Sequence, residues 1–293
     1  MTDRVLVTGA TGTVGRNVVA ALADRDVTVR SAVRDPDAVA GDVAAAGEVC
    51  PFDFAKPETW GDALADVDGV FLMRPPTADD DDLAAFVDAA ARVGVDRVAY
   101  LSTLGAEKNV LIPHHRIEKR VAESGVDYTL LRASFFMQNL SEVHRADIVE
   151  SDEIFVPAGR GETSFVDARD VGEAAAVALT ESGHAGRAYD VTGPEAMDYE
   201  AVAAVFSDVL GRPITYPNPS LATFARRMYG RGHGLGFVAL MCGIYTTARL
   251  GLAGRVSDDA GRLLGREPRS MRTFVEDYAD EFRADSPAVE PPT

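Results

Sequence analysis

The chain opens with a short apolar strand that runs directly into three glycines spaced three residues apart, in the segment RVLVTGATGTVG. Consecutive aliphatic residues suit a buried parallel strand, and the glycines fall where that strand must reverse into a helix. The first glycine permits the tight turn, the second lets backbone amides approach a pyrophosphate, and the third lets helix and strand pack closely. Gly9, Gly12 and Gly15 therefore predict a dinucleotide-binding turn, with phosphate at a helix N-terminus.

Strand and helix patterns alternate after this turn. Strands are predicted over 27–33, 48–52, 69–72, 97–101, 128–131 and 188–191, with a further strand and helix over 165–179. A helix is predicted from Ala78, after Thr77, to Gly94, and the acidic run 79–82 is interpreted as its solvated cap, with a metal site as the alternative. This alternation predicts an α/β fold with a doubly wound parallel Rossmann sheet.

The second half of the chain has mostly helical periodicity, over 199–210, 221–229, 235–250 and 271–282. It predicts a smaller, mostly helical C-terminal lobe above the carboxyl edge of the sheet. We predict three parts of the chain: an NAD(P)-binding Rossmann domain of residues 1–150 plus about 163–192, a substrate lobe of about 151–162 and 193–285, and a frayed tail, 286–293.

The charge balance limits the classes of partner that the protein can bind. With 46 acidic and 29 basic residues the net charge is −17, which disfavours contact with nucleic acid or an anionic membrane. Only three basic residues are lysine, a surface typical of salt-adapted cytosolic proteins. The two isolated cysteines fit a reducing cytoplasm and predict no metal site.

No apolar run approaches the length of a membrane span. The closest, residues 235–245, is predicted to line a core or an apolar pocket, with membrane attachment as the alternative. A strand that begins at residue 4 leaves no room for a secretion signal, which also favours a cytoplasmic protein.

Cofactor choice is predicted at the end of the second strand. Arg34 favours NADP because a guanidinium matches phosphate oxygens bidentately. Asp35 would favour NAD through a ribose hydroxyl, and a plain surface Arg/Asp pair is the alternative without a ligand. Asp53, after the third strand, is predicted either to accept a hydrogen bond from adenine or to cap the following helix. We predict NADP, with NADPH preferred and NAD possible.

Candidate catalytic side chains follow the fifth strand. Ser102 lies at the carboxyl edge of the sheet, and Pro113 begins a helix in which His115 and Lys119 lie four residues apart. Lysine can lower the pKa of a titratable group one turn away and can also hold the nicotinamide ribose. The alternatives are a structural histidine and a surface Glu118/Lys119 pair.

Several segments together resemble the NmrA-like family of atypical short-chain dehydrogenase/reductases, over nearly the whole chain. They are VTGATGTVGRNVV, VRDP, HHRIEKRVAESGVDYTLLRASFFMQNL, FVDARDVGEAAAVAL, YDVTGPEAMDYEAVAAVFSDVLGRPITY and LGREPRSMRTFVEDYADEF. The resemblance implies an NAD(P) site made by Gly9, Thr11, Gly12, Thr13, Val14, Gly15, Arg34, Met73, Arg74 and Pro75. It also implies Lys119 at the nicotinamide ribose and Phe135 and Phe136 beside the ring, and we expect Phe136 and Met137 on the substrate side.

One departure from the wider superfamily bears on function. Its active members usually carry tyrosine four residues before the lysine, where this chain has His115. The substitution argues against epimerase or alcohol dehydrogenase activity. It leaves hydride transfer to a quinone open, because such an acceptor obtains its proton from solvent or histidine.

Three hypotheses follow from these observations. The leading one is an NADPH-preferring oxidoreductase acting on a small, electron-poor acceptor such as a quinone. The second is a non-catalytic NAD(P)-sensing regulator that acts through protein partners. The third is an isomerase or dehydratase that uses the cofactor transiently. The sequence leaves the substrate and the oligomeric state open.

Overall fold

The computed structural model describes residues 2–39, 41–75 and 78–283. Its strands are β1 (Arg4–Thr8), β2 (Thr28–Val33), β3 (Gly47–Pro51), β4 (Gly69–Met73), β5 (Arg97–Thr103), β6 (Asp127–Ala133), β7 (Phe135–Phe136), β8 (Thr163–Val166), β9 (Arg187–Val191) and β10 (Ala196–Met197). Its helices are α1 (Thr13–Ala23), α2 (Asp42–Ala45), α3 (Trp60–Leu64), α4 (Asp80–Val93), α5 (Pro113–Glu123), α6 (Asn139–Glu142), α7 (Arg145–Ser151), α8 (Ala168–Thr180), α9 (Tyr199–Leu210), α10 (Leu221–Gly230), α11 (Leu235–Arg249), α12 (Asp259–Leu264) and α13 (Met271–Asp277). Three 3-10 helices lie at Pro36–Ala38, Pro57–Thr59 and Ala279–Phe282.

Within the described part of the chain, seven parallel strands form the central sheet in the order β3-β2-β1-β4-β5-β6-β9. Strand β1 lies inside the sheet, and Val5, Leu6 and Val7 are fully buried, as expected for a strand covered on both faces. Helices α1 and α8 contribute to the core on one face, and α3, α4 and α5 contribute to the core on the other. The predicted doubly wound Rossmann sheet is confirmed.

Two predicted helix boundaries differ from the structure. Helix α4 begins at Asp80 because the carboxylate of Asp79 accepts a hydrogen bond from the Asp81 amide at 2.7 Å and so ends the extended segment. The predicted start, Ala78, lies before the helix, and Thr77, which precedes it, lies outside the described residues. The predicted helix 271–282 is broken at Tyr278, where α13 gives way to a 3-10 helix that buries Phe282. The predicted tail, 286–293, also lies outside the described residues.

The helical second half packs a core of its own. Tyr199, Phe206, Phe224, Tyr245 and Phe274 are fully or almost fully buried in it. A small sheet has the strand order β10-β8-β7, and in its strand β8 Phe165 belongs to this core whereas Val166 belongs to the core of the central sheet. The separate core supports the two-lobe division, which stays a prediction.

Helix α11 contains the longest apolar run. Val238, Met241 and Tyr245 face the core, whereas Leu235 and Leu240 are 73% and 54% exposed. The run therefore lines the core along one side of the helix only. Among residues 2–39, 41–75 and 78–283, no helix has the length and apolar character needed to cross a bilayer.

Candidate functional site

The glycine turn joins β1 to α1 at the carboxyl edge of the sheet. Gly9 has φ +64°, a left-handed conformation that favours glycine. A Cβ on Gly15 would lie 2.0 Å from the Gly9 carbonyl oxygen, whereas the nearest atom to a Cβ on Gly12 would be 3.5 Å away. The chain itself therefore requires glycine at 9 and 15. At Gly12 the space that a side chain would fill is left open beside the helix.

The start of α1 has the features of an anion site. Gly12 is its N-cap and offers no side chain to the first-turn amides, and no acidic residue lies in that turn. The partial positive charge of the helix is therefore available to a phosphate group. Thr11 is exposed and Val14 is buried, so the predicted cofactor contact of Val14 is restricted to its backbone. The residues fit the diphosphate of a dinucleotide.

The hydroxyl of Thr13 is already engaged. It donates a 2.6 Å hydrogen bond to Oε1 of Glu142, at the end of α6. Burial raises the pKa of the Glu142 carboxyl above its usual range, although the Thr13 hydrogen bond and nearby Arg16 lower it. The predicted cofactor turn thus has a carboxyl neighbour that the sequence did not indicate.

The two candidates for cofactor choice have different environments. The Asp35 carboxylate accepts a 3.1 Å hydrogen bond from the Asp37 amide and caps the 3-10 helix Pro36–Ala38. Arg34 is exposed immediately after β2, at the same edge of the sheet as the glycine turn. Because Asp35 serves the local turn, Arg34 is the stronger candidate for a cofactor contact, and that role stays a prediction.

Asp53 follows β3 and holds a local turn. Its Oδ1 accepts a 3.0 Å hydrogen bond from the Ala55 amide, whereas the next 3-10 helix, Pro57–Thr59, has Lys56 at its N-cap. The alternative in which Asp53 caps the following helix is therefore wrong, because Lys56 is the N-cap. The proposed adenine contact stays a prediction.

The end of β4 touches the glycine turn through Met73, the last residue of the strand. The Met73 amide donates to the Thr8 hydroxyl at 3.0 Å, and its sulfur occupies the space that a Cβ on Gly9 would need. Arg74 donates a 2.7 Å hydrogen bond from Nε to Asp80 Oδ1, and the Pro75 carbonyl accepts a 3.1 Å hydrogen bond from the Ala78 amide. Arg74 and Pro75 therefore stabilise the start of α4, and their proposed cofactor contacts stay predictions.

The structure corrects the expected orientation of α5. Lys119 is 69% exposed and lies 3.8 Å from Glu123 on the outer surface, and the ring of His115 bonds the Ala106 carbonyl through Nδ1 at 2.8 Å. The helix buries Ile117 and Val121, which turns the Lys119 side chain away from the sheet. Its proposed place at the nicotinamide ribose is therefore not supported by this arrangement.

The residues one position earlier face the sheet instead. His114 Nδ1 lies 2.8 Å from the Tyr100 hydroxyl, and the Glu118 carboxylate accepts a 2.6 Å hydrogen bond from Ser102. Burial and nearby Arg74 lower the pKa of His114 to about 4, and burial raises the pKa of Tyr100. Both side chains are therefore uncharged at neutral pH. Ser102 is 3% exposed and holds a carboxylate, so the structure gives it a structural contact in place of the proposed catalytic one.

A buried ion pair continues from Ser102 into β6. Arg132 donates to Glu118 through Nε at 2.9 Å and Nη2 at 2.7 Å, a bidentate arrangement. The Glu118 hydrogen bonds raise the pKa of Arg132 above its usual value. The side chains are 16% and 7% exposed. This pair joins α5 to the carboxyl edge of the sheet, and sequence reasoning missed it because its members lie on separate elements.

Breaking this ion pair is expected to destabilise the protein strongly. Arg132→Met leaves the Glu118 carboxylate buried without its cation, at a cost of about 3–5 kcal/mol. Urea unfolding measures the loss. The double variant Glu118→Gln/Arg132→Met should recover most of it, because a neutral amide can still accept from Ser102. If Arg132→Met lowered the free energy of unfolding by less than about 1 kcal/mol, which is the range for an exposed ion pair, this account would be contradicted.

The aromatic residues after β6 separate into two environments. Phe135 and Phe136 are half-buried, and the Phe135 ring lies 5.8 Å from Phe165 and 6.0 Å from Tyr245 between centroids. Met137 is 1% exposed, and its amide donates to the Val166 carbonyl at 2.9 Å. The expected substrate contact of Met137 is therefore corrected, because strand-like pairing buries its side chain in the lobe core. Phe135 and Phe136 remain candidates.

The chain is similar to known proteins over almost its full length. It is 34% identical over 286 residues to an NAD(P)H azoreductase of Xenophilus azovorans, covering 96% of this chain and 99% of the relative. An NADPH-dependent quinone oxidoreductase of Escherichia coli, solved with NADPH, has a TM-score of 0.84 at 26% identity, covering 94% and 99% of the two chains. The triphenylmethane reductase of Citrobacter sp., complexed with NADP(H), has a TM-score of 0.82 at 26% identity and the same coverage.

The family assignment follows from a match that spans most of the chain. The profile of the NmrA-like family covers residues 1–248, which include the glycine turn, the central sheet and helices α1 to α10. The resemblance found in the sequence motifs is confirmed. The chain belongs to the NmrA-like family.

Proposed function

We propose that this protein is an NADPH-dependent oxidoreductase that transfers hydride to a small, electron-poor acceptor such as a quinone. The observation that carries the proposal is the 34% identity to an NAD(P)H azoreductase over 96% of the chain. Two solved structures of similar fold, a quinone oxidoreductase and a triphenylmethane reductase, support both the cofactor and the acceptor class.

Binding of the cofactor is assigned to the carboxyl edge of the sheet. The first-turn amides of α1 would bind the diphosphate over Gly12, and Arg34 would bind the 2′-phosphate. Phe135 and Phe136 would flank the nicotinamide, where their half-buried rings exclude water from one side. When bound, NADPH supplies the hydride.

The protein's part in the proton transfer is limited. A carbonyl only accepts hydrogen bonds, so the Nδ1 of His115 carries the proton that bonds Ala106, and the neutral ring has no proton on Nε2. His115 can therefore donate from Nε2 only as imidazolium. A reduced quinone can also take its proton from water. His114 and Tyr100 stay uncharged and bonded to each other at neutral pH.

The test is oxidation of NADPH by a panel of quinones and azo dyes in concentrated salt. The measurement is the loss of the absorbance of the reduced nicotinamide. Oxidation that saturates with acceptor is expected, with a boiled sample and the Gly12→Ala variant as controls. Intact NADPH binding with no turnover on any acceptor would overturn the proposed oxidoreductase activity and favour the hypothesis of an NAD(P)-sensing regulator. Absence of binding would overturn the cofactor assignment.

Two variants of α5 are expected to differ in effect. Lys119→Ala should change the rate and the NADPH affinity by less than about twofold, because an exposed ion pair contributes little. His115→Phe should slow turnover with unchanged cofactor affinity, because the imidazolium of His115 would supply the proton, and an unchanged rate would assign the proton to water. Steady-state rates and NADPH titrations measure both. A large loss of NADPH affinity in Lys119→Ala would restore that lysine to the cofactor site.

A further inference from the structure

The carboxyl group of Glu142 lies at the proposed diphosphate site although it belongs to a distant part of the sequence. Thr13 is the first residue of α1, and its hydroxyl donates to Glu142 Oε1 at 2.6 Å across 129 positions of the chain. The contact fixes one carboxyl oxygen next to the turn that binds phosphate in the proposed function. Nothing in the chemistry of anion binding needs a carboxylate there, since like charges repel.

The charged neighbours of Glu142 come from three elements. Arg16 lies on α1, and Glu281 lies on the 3-10 helix Ala279–Phe282. Arg145, on α7, lies close to Glu281 and bonds its backbone carbonyl at 2.7 Å. Burial raises the pKa of Glu281, Arg145 lowers it and Glu142 raises it, whereas Arg16 lowers the pKa of Glu142. Among the hydrogen bonds recorded for the described residues, the half-buried Glu142 carboxyl accepts from Thr13 and shows no bidentate arginine pair of the kind that Glu118 has.

We propose that Glu142 controls dinucleotide affinity by taking up a proton from solvent when the diphosphate of the cofactor binds beside Thr13. The inference rests on the proposed cofactor site. A carboxylate next to a dianionic diphosphate is repelled, whereas a carboxylic acid is not and can donate its proton to a phosphate oxygen. The step balances because one proton moves from solvent to a carboxylate oxygen of Glu142, where it forms an O–H bond, and no other covalent bond changes.

The sign of the effect follows from linkage. Bound diphosphate stabilises the protonated form, so the pKa of Glu142 is higher in the complex than in the free protein. Affinity is highest at a pH below the pKa of Glu142 in the free protein, decreases as the pH rises, and becomes constant above its pKa in the complex. Each unit of difference between the two pKa values corresponds to about a tenfold change in Kd.

The experiment is calorimetric titration with NAD⁺ from pH 5 to pH 8. NAD⁺ is the probe because it lacks the 2′-phosphate, whose own second pKa of about 6 would confuse the result. At each pH, two non-phosphate buffers with different ionisation enthalpies report the number of protons taken up per NAD⁺ bound. We expect wild-type protein to take up a measurable fraction of one proton and its Kd to weaken about tenfold over this range.

The variants identify the group that titrates. Glu142→Gln is expected to take up no proton and to bind NAD⁺ equally tightly at both ends of the range. Glu142→Ala is a second variant should the amide disturb folding. Glu281→Gln is the matched control, since it removes the neighbouring carboxyl that has no bond to the turn, and it should retain proton uptake.

Three outcomes would each overturn the inference alone: wild-type binding without proton uptake, proton uptake that survives in Glu142→Gln, and proton uptake that disappears in Glu281→Gln. A fourth outcome is different in kind. If neither NAD⁺ nor NADP⁺ bound at any pH, the proposed function would be overturned and this inference with it.

Discussion

Replacing Gly12 by alanine is expected to weaken NADPH binding by about 10- to 150-fold while leaving the fold intact. The added methyl group meets only an ordinary 3.5 Å contact within the protein, but it stands where a phosphate oxygen must approach the amides of α1. Loss of one such charge-assisted hydrogen bond costs about 1.5–3 kcal/mol. Titration of NADPH by fluorescence measures the affinity, and urea unfolding measures stability, which should change by less than about 1 kcal/mol.

Gly15→Ala is the matched control for this prediction. Its Cβ would lie 2.0 Å from the Gly9 carbonyl oxygen and 2.9 Å from the Ala10 Cα, so the backbone of the turn must move. Overpacking of this kind costs about 1–3 kcal/mol of stability. Equal stability losses in the two variants would contradict the claim that Gly12 is reserved for a ligand.

Replacing Arg34 by alanine is expected to weaken NADPH binding by about 10- to 150-fold, with NADH affected less than about threefold. The difference arises because only NADPH carries the 2′-phosphate, and a hydrogen bond between charged groups contributes about 1.5–3 kcal/mol. Parallel titrations with the two reduced cofactors give the ratio. Equal losses for both would assign Arg34 a structural role.

Asp35→Ala is the control for cofactor choice. This substitution removes the cap of the 3-10 helix Pro36–Ala38 and is expected to cost about 0.5–2 kcal/mol of stability. The ratio of NADPH to NADH affinity should stay unchanged, because the Asp35 carboxylate bonds the local turn. A shift toward lower NADH affinity alone would instead show that the Asp35 carboxylate binds the ribose.

The sequence by itself determined the central sheet and the glycine turn. Short runs of aliphatic residues, glycines at fixed spacing and helix-length segments between them are local signals, and each acts over a few residues. Strand β1 and the glycine turn that leads into α1 lie where these signals predicted them. The predicted strands of the central sheet therefore matched the structure, whereas the short strands β7 and β10 and the helices α6, α7 and α12 were not predicted. The start of α4 at Asp80 and the break at Tyr278 also differ from the prediction.

Only the tertiary structure decided which side chains meet at the site. One residue along a helix rotates the side chain by about 100°, so the packing of Ile117 and Val121 selected His114 and Glu118 for the sheet and placed Lys119 outside. The spacing of four is the same for both pairs, and no local signal distinguishes them. The contact between Thr13 and Glu142 spans 129 positions, and it exists because the fold brings α6 to the start of α1.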